Sequence, residues 1–239
     1  MNFFTKHLRR LLLFFLRRRP NLVFDAVQRE KNLSFAGIPD RPQRNFEDLD
    51  WLLRSNPANK GLLLMQFDEA AFLFRLVRSL PAAQILEIGR CYGGSAFLFA
   101  VAGDHHSMIT SIDVAPQNDQ LLQIALQRSG LAHKVQLLVG DSGQAATIMD
   151  FYDLIFVDGD HSYNGVRQDY EHWRKAVKPG GYLAFHNAAY GRPYTTTVPG
   201  VYQLTQEIAA RDGESYTRQP DVGSLALFIR TRRPWPSGS

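Results

Sequence analysis

Two short segments place acid, imidazole and amide groups where they can act together: Val157-Asp158-Gly159-Asp160-His161-Ser162-Tyr163 and His186-Asn187. Asp158 and His161 stand three residues apart at the end of an apolar run, and Gly159 removes bulk between them. One of the pair can hold a cation while the other takes a proton, since imidazole exchanges protons close to neutral pH. His186-Asn187 closes a second apolar run. If the two runs are neighbouring parallel strands, their ends lie about 5 Å apart and the four groups converge. An Asp158 oxygen, the Asn187 carbonyl and several waters would suit magnesium, a hard cation that keeps much of its hydration. Imidazole suits softer ions, so His186 would either orient a substrate or favour a softer divalent cation. The plainer alternative is that these polar groups satisfy backbone at strand ends.

Upstream, Gln84-Ile85-Leu86-Glu87-Ile88-Gly89-Arg90-Cys91-Tyr92-Gly93-Gly94-Ser95 ends an apolar run in an acid and then sets three glycines within six residues. This reads as a buried parallel strand turning sharply into a helix, with backbone where side chains would block a ligand. The unpaired N–H groups of the helix start can face a polar cofactor. The spacing G-x-x-x-G-G is not the G-x-G-x-x-G of nicotinamide or flavin binding, which counts against an oxidoreductase. A packing turn is the other reading. Cys91 has no base beside it and reads as a small packing residue.

Four strands predicted around these segments each end in an acid or are soon followed by one: Glu87, Asp113, Asp141 and Asp158. Asp113 falls 19 residues after Gly94. A carboxylate there can accept from both ribose hydroxyls of an adenosine. Asp141-Ser142 can meet the adenine edge, and Asp141 can equally cap the next helix, a place where Asp is favoured.

The elements that must position these groups follow from pattern. Phe67, Ala71, Phe74, Val77 and Leu80 make a helical stripe over 67–80, which Pro81 closes. Strands are predicted at 84–88, 108–112, 134–139, 153–157 and 181–186, the last introduced by the turn Lys178-Pro179-Gly180-Gly181. Helices are predicted at 94–102, 117–129, 142–149 and 163–177. Alternation of this kind argues an α/β fold with a doubly wound parallel sheet and ligands at the strand C-terminal ends. A helix near 200–211 and two closer strands at about 215–219 and 224–229 follow, a hairpin that can add one antiparallel strand near the C-terminus.

With 239 residues and one cysteine, the chain is sized for one domain plus an extension and has no disulfide framework. Residues 1–20 hold six of the 27 basic residues and no acid, which leaves 21 basic against 23 acidic elsewhere. A broad basic face for nucleic acid is thereby excluded. Phe4, Leu8, Leu11, Leu12 and Phe15 fall on one side of a helix, with Lys6, Arg9, Arg10 and Arg17 opposite. The apolar centre is far short of the roughly 20 residues that span a bilayer. Residues 1–19 would lie on an anionic membrane surface, or dock on their own domain or a second subunit. The expected localisation is cytoplasmic, peripheral at the inner face of the membrane.

Glu-Ile-Gly-Arg-Cys-Tyr-Gly-Gly-Ser-Ala, Val-Asp-Gly-Asp-His-Ser-Tyr and Lys-Pro-Gly-Gly-Tyr-Leu-Ala-Phe-His-Asn together resemble class I S-adenosylmethionine-dependent methyltransferases. The similarity is to the group that includes macrolide-sugar, rhamnosyl and cephalosporin-tailoring O-methyltransferases, over about residues 60–230. It implies a Rossmann-like seven-stranded sheet and S-adenosylmethionine held by Glu87, Gly89, Tyr92, Gly93, Ser95, Asp113, Asp141, Ser142 and Asp158. It further implies a divalent cation, Mg2+ above all, at Asp158, His186 and Asn187, with His161 as base. Asn187 stands where the group often has Asp, which removes a charge from that site. The resemblance adds nothing to residues 1–60; with the pattern read above, the expected organisation is a basic amphipathic helix (1–20), an N-terminal helical cap (21–80), a methyltransferase core (81–231) and a disordered tail (232–239). The implied reaction is O-methylation of a small-molecule hydroxyl on a sugar or natural-product scaffold, by a chain that can form a homo-oligomer. A metal-independent enzyme and a cofactor-binding pseudoenzyme serving as partner subunit are the alternatives.

Overall fold

The computed structural model describes residues 38, 41–53, 62–144, 151–188 and 198–231. The helix expected over 1–20, most of the 21–60 stretch and the tail at 232–239 lie outside the described residues.

Seven strands among the described residues form one sheet: β1 (Gln84–Ile88), β2 (Met108–Asp113), β3 (Val135–Val139), β4 (Tyr152–Val157), β5 (Val177–Phe185), β6 (Tyr216–Arg218) and β7 (Ala226–Arg230). Their order is β3-β2-β1-β4-β5-β7-β6. Strands β1 to β5 pair in parallel, and β7 runs antiparallel to both β5 and β6. The reversed strand is thus the one that the terminal hairpin predicts.

Helices α1 (Phe67–Arg78), α2 (Gly94–Ala102) and α3 (Asp119–Arg128) pack on one face, and α4 (Tyr163–Trp173) and α5 (Pro199–Arg211) on the other. Burial on both faces explains why central strands read as unbroken apolar runs. In β1, Ile85 packs towards α1 and α2, whereas Leu86 and Ile88 pack towards α4 and α5. Every residue of α2 is buried, because α1 covers the side that the sheet leaves open.

Several boundaries differ from expectation. The helix over 163–177 stops at Trp173, a 3-10 turn follows at Arg174–Ala176, and Val177 already pairs with Tyr152. Lys178-Pro179-Gly180-Gly181 does not precede β5 but interrupts it. Tyr152 pairs with Val177 and Leu154 with Tyr182, so the register shifts there, and Gly180 takes the left-handed φ of +82°. Of the helix expected at 142–149, Ser142–Gln144 is a 3-10 turn and the rest lies outside the described residues. Phe67, expected in the buried stripe, is 62% exposed and meets the Phe46 ring edge-on at 5.4 Å. The buried face of α1 instead includes Glu69.

Candidate active site

Strand order reverses between β1 and β4, and a cavity of about 630 Å3 opens there at the carboxyl ends of the parallel strands. Its walls come from the tips of five strands: Gly89 after β1, Asp113 ending β2, Asp141 after β3, Asp158 after β4 and His186 after β5. The volume suits a small-molecule cofactor.

Gly89 makes the turn from β1 possible. Its φ is +85°, and a Cβ there would sit 2.3 Å from the Asp158 carbonyl oxygen. The turn is then held by side chains. Asp113 Oδ2 accepts the N–H groups of Arg90 and Cys91, each at 2.8 Å, and Oδ1 accepts that of Ala115 at 2.7 Å. Arg90 is buried and grips Asp119 through Nε at 2.7 Å, while Nη1 reaches the carbonyls of Ser111 and Leu138 at 2.9 and 2.8 Å. One guanidinium therefore ties the turn to β2, β3 and α3, a role that the residue pattern did not single out.

The expected cofactor residues divide into two sets. Gly89, Asp113, Asp141, Ser142 and Asp158 line the cavity. Glu87, Tyr92, Gly93 and Ser95 are not among its lining residues. Glu87 is fully buried and takes hydrogen bonds from Ser111 and Ser95, while its Oε1 has no partner among the described residues. Burial pushes its carboxyl up to about 7, against those hydrogen bonds and the Arg90 charge. Tyr92 packs on the α1/α2 core, and Gly93 faces Leu122. Asp141 Oδ1 accepts the Gly143 N–H at 2.7 Å, the capping role open to it from sequence, and Ser142 bonds to Asp169.

At the other end of the cavity the two chemical segments meet, because β4 and β5 pair Val157 with Phe185. His161 Nε2 lies 3.1 Å from Asp158 Oδ1, and His186 Nδ1 lies 3.0 Å from the same oxygen. Asn187 adopts the left-handed φ of +58° and brings its amide nitrogen to 3.5 Å from His161 Nε2. Asn tolerates that conformation better than most residues. His161 is partly open to the cavity, and His186 is buried. Burial works against charge on Asp158, but the His186 cation and the hydrogen bonds of both imidazoles hold its carboxyl below the usual range.

Glu69 is the member that sequence reasoning passed over. It sits at the start of α1 with Oε2 3.2 Å from His186 Nε2. Its spacing from Gln66 signals a capping box, and that role is also filled, through the Gln66 N–H at 2.8 Å. Nothing in the local pattern tells that the same carboxylate faces a residue 117 positions away.

The expected divalent site can be judged on its donors. Both ring nitrogens of His186 face carboxylate oxygens, which only accept, so both must carry hydrogen. Burial works against that charge, yet Asp158 and Glu69 raise the His186 pKa to about 10. An imidazolium has no lone pair for a metal and repels one, so His186 does not fit the ligand role expected of it. What remains for a hard cation is Asp158, whose Oδ1 already serves two imidazoles, and the Asn187 amide. Among the described residues no group of three His, Cys, Asp or Glu is arranged to hold a metal ion.

The chain is similar to known proteins over the same region. A family model described as a methyltransferase domain matches residues 86–188. Tapetum-specific methyltransferase 1 of Arabidopsis thaliana is 32% identical over 170 residues, covering 68% of this chain and 72% of that protein. Caffeoyl-CoA O-methyltransferase 2 of Petunia hybrida is 26% identical over 166 residues, and the chain spans 64% of its length, as the match does of this chain. Among solved structures, the O-methyltransferase TomG from Streptomyces achromogenes, involved in tomaymycin synthesis and in complex with SAM, matches with a TM-score of 0.57 at 20% identity. That match covers 76% of this chain and 90% of TomG, a likeness of fold.

Proposed function

Because this chain belongs to the class I S-adenosylmethionine-dependent O-methyltransferases, we propose that it methylates a hydroxyl of a small molecule, a sugar or a natural-product scaffold, with His161 as base. The observation that carries this reading is the His161–Asp158 pair, 3.1 Å apart at the wall of the strand-end cavity. The similarity to a caffeoyl-CoA O-methyltransferase, and the fold shared with an O-methyltransferase involved in tomaymycin synthesis, support a small-molecule acceptor.

When bound, S-adenosylmethionine supplies an electrophilic methyl on a positively charged sulfur. Gly89, Asp113, Asp141 and Ser142 provide a cleft of suitable size for its nucleoside. An alcohol is a poor nucleophile until it loses its proton, and His161, at the cavity wall, is our candidate to take it. Because Asp158 only accepts, His161 Nε2 carries the hydrogen and Nδ1 holds the basic lone pair. His161 Nδ1 would take the hydroxyl proton, readying the oxygen for the methyl group that the bound cofactor would supply. Asp158 orients the ring and offsets the charge it gains, as in other His–Asp pairs. His186, with both ring nitrogens facing carboxylates, does not fit a cation-assisted route.

The test is transfer of labelled methyl to a panel of hydroxyl acceptors by wild type and His161→Ala, alongside calorimetry with S-adenosylmethionine. Turnover is expected to fall by roughly 10²–10⁴ while cofactor affinity stays near normal. Collapse of both would make His161 a structural residue.

A further inference from the structure

Glu69 is completely buried, yet four donors surround its carboxylate. Oε1 accepts the Ser224 N–H at 2.5 Å and the Ser224 hydroxyl at 2.8 Å. Oε2 accepts the Gln66 N–H at 2.8 Å and faces His186 Nε2 at 3.2 Å. Burial opposes its charge, but the His186 hydrogen bond and charge, with the two backbone N–H groups, hold the carboxyl below the usual range. His186 is fixed in turn by its own N–H to the Val157 carbonyl at 3.1 Å. A continuous line then runs Glu69–His186–Asp158–His161, from the start of α1 to the cavity, with spacings of 3.2, 3.0 and 3.1 Å. Neither end of the His186 ring is open to a metal or a substrate atom.

We propose that Glu69 is a positioning residue that keeps His186 doubly protonated, so that the end of β5 carries a built-in cation which holds Asp158 against His161. This rests on the reading of His161 as the base. Charge alternates from Glu69 through His186 to Asp158, and a single proton on His186 replaces what a divalent ion would otherwise supply: a positive centre beside Asp158. The groups facing His186 are Glu69 from α1, Asp158 from the end of β4 and, beyond it, His161; Glu87 acts on Asp158 through charge alone. Taking the charge from Glu69 leaves one ring nitrogen without an obligatory proton, and the Asp158 contact loses its strength.

The experiment uses full-length protein labelled with 15N-histidine, with His186→Gln to assign the ring signals by NMR. At pH 8 both ring nitrogens of His186 are expected to carry hydrogen, unchanged by excess Mg2+ or by Mn2+. Glu69→Gln is expected to lose one ring proton at the same pH and to bind S-adenosylmethionine normally. Its methyl transfer in the presence of EDTA is expected to fall about tenfold, the scale of one charged hydrogen bond. A singly protonated His186 in wild type, stoichiometric Mn2+ broadening of its signals, or activity lost to EDTA and restored by Mg2+ would overturn the proposal. The wild-type spectrum and the Mn2+ titration decide even if Glu69→Gln fails to fold. Should no acceptor be methylated while His186 is doubly protonated and untouched by Mn2+, the built-in cation stands and only the transfer reading falls.

Discussion

Glu87 shows how a single side chain can be read correctly for place and differently for role. The sequence puts an acid at the end of β1, and the structure keeps it there, but turned into the core against Ser111 and Ser95. Its carboxyl is raised from 4.5 to about 7, so the folded chain binds its proton more tightly than the unfolded chain. The stability that this proton contributes is complete below pH 4.5 and is lost as pH rises through about 7, a decline of about 3 kcal/mol. Glu87→Gln removes that decline. The stability difference, variant minus wild type, is therefore expected to grow by about 3 kcal/mol between pH 4.5 and 7.5, measured by urea unfolding. Parallel pH curves for the two proteins would refute the assignment. Asp158, His161, His186 and Asn187 were legible as a group because their residue types and strand-end positions suffice to bring them together. Glu69 was not, since its partner is fixed by tertiary packing and no local period encodes that.

At the level of elements, the strand 84–88 and the helix 94–102 have the predicted bounds. Both are set by local chemistry: an apolar run, then glycines that only a tight turn uses. Gly89→Ala is expected to cost roughly 2–5 kcal/mol, combining a positive φ with a Cβ driven into the Asp158 carbonyl. Cofactor affinity should fall with it, because the same turn carries Asp113's two N–H partners. Thermal melts and calorimetry on the variant check both, and an unshifted melt would show that the turn can relax. The Lys178–Gly181 segment misled for a physical reason. Pro-Gly-Gly signals a turn, but a parallel strand can carry a wide irregularity and resume pairing beyond it, as β5 does. The early end of α4 has a similar origin, since Val177 satisfies helical spacing and strand pairing alike, and the pairing prevails.

For the molecule as a whole, the alternation of strands and helices revealed the fold class but not the order in which strands pair, which depends on contacts distant in sequence. That order is what places the cavity between β1 and β4. No described helix is long and apolar enough to cross a membrane. The six cations of residues 1–20 remain a proposal for surface attachment, each worth about 1 kcal/mol near anionic lipid. Full-length protein is expected to sediment with anionic vesicles in low salt, and a chain lacking residues 1–20 is expected to stay in solution. Equal, negligible sedimentation of both would end that idea. The bond from Ser224 to Glu69 spans 155 residues, and it sets a timetable. Translation delivers Ser224 late, so a nascent chain that has already released β1 to β5 still has an acid under His186 short of two of its donors. The buried carboxylate at the start of α1 is therefore fully partnered only after the chain has passed β6 and reached the turn into β7.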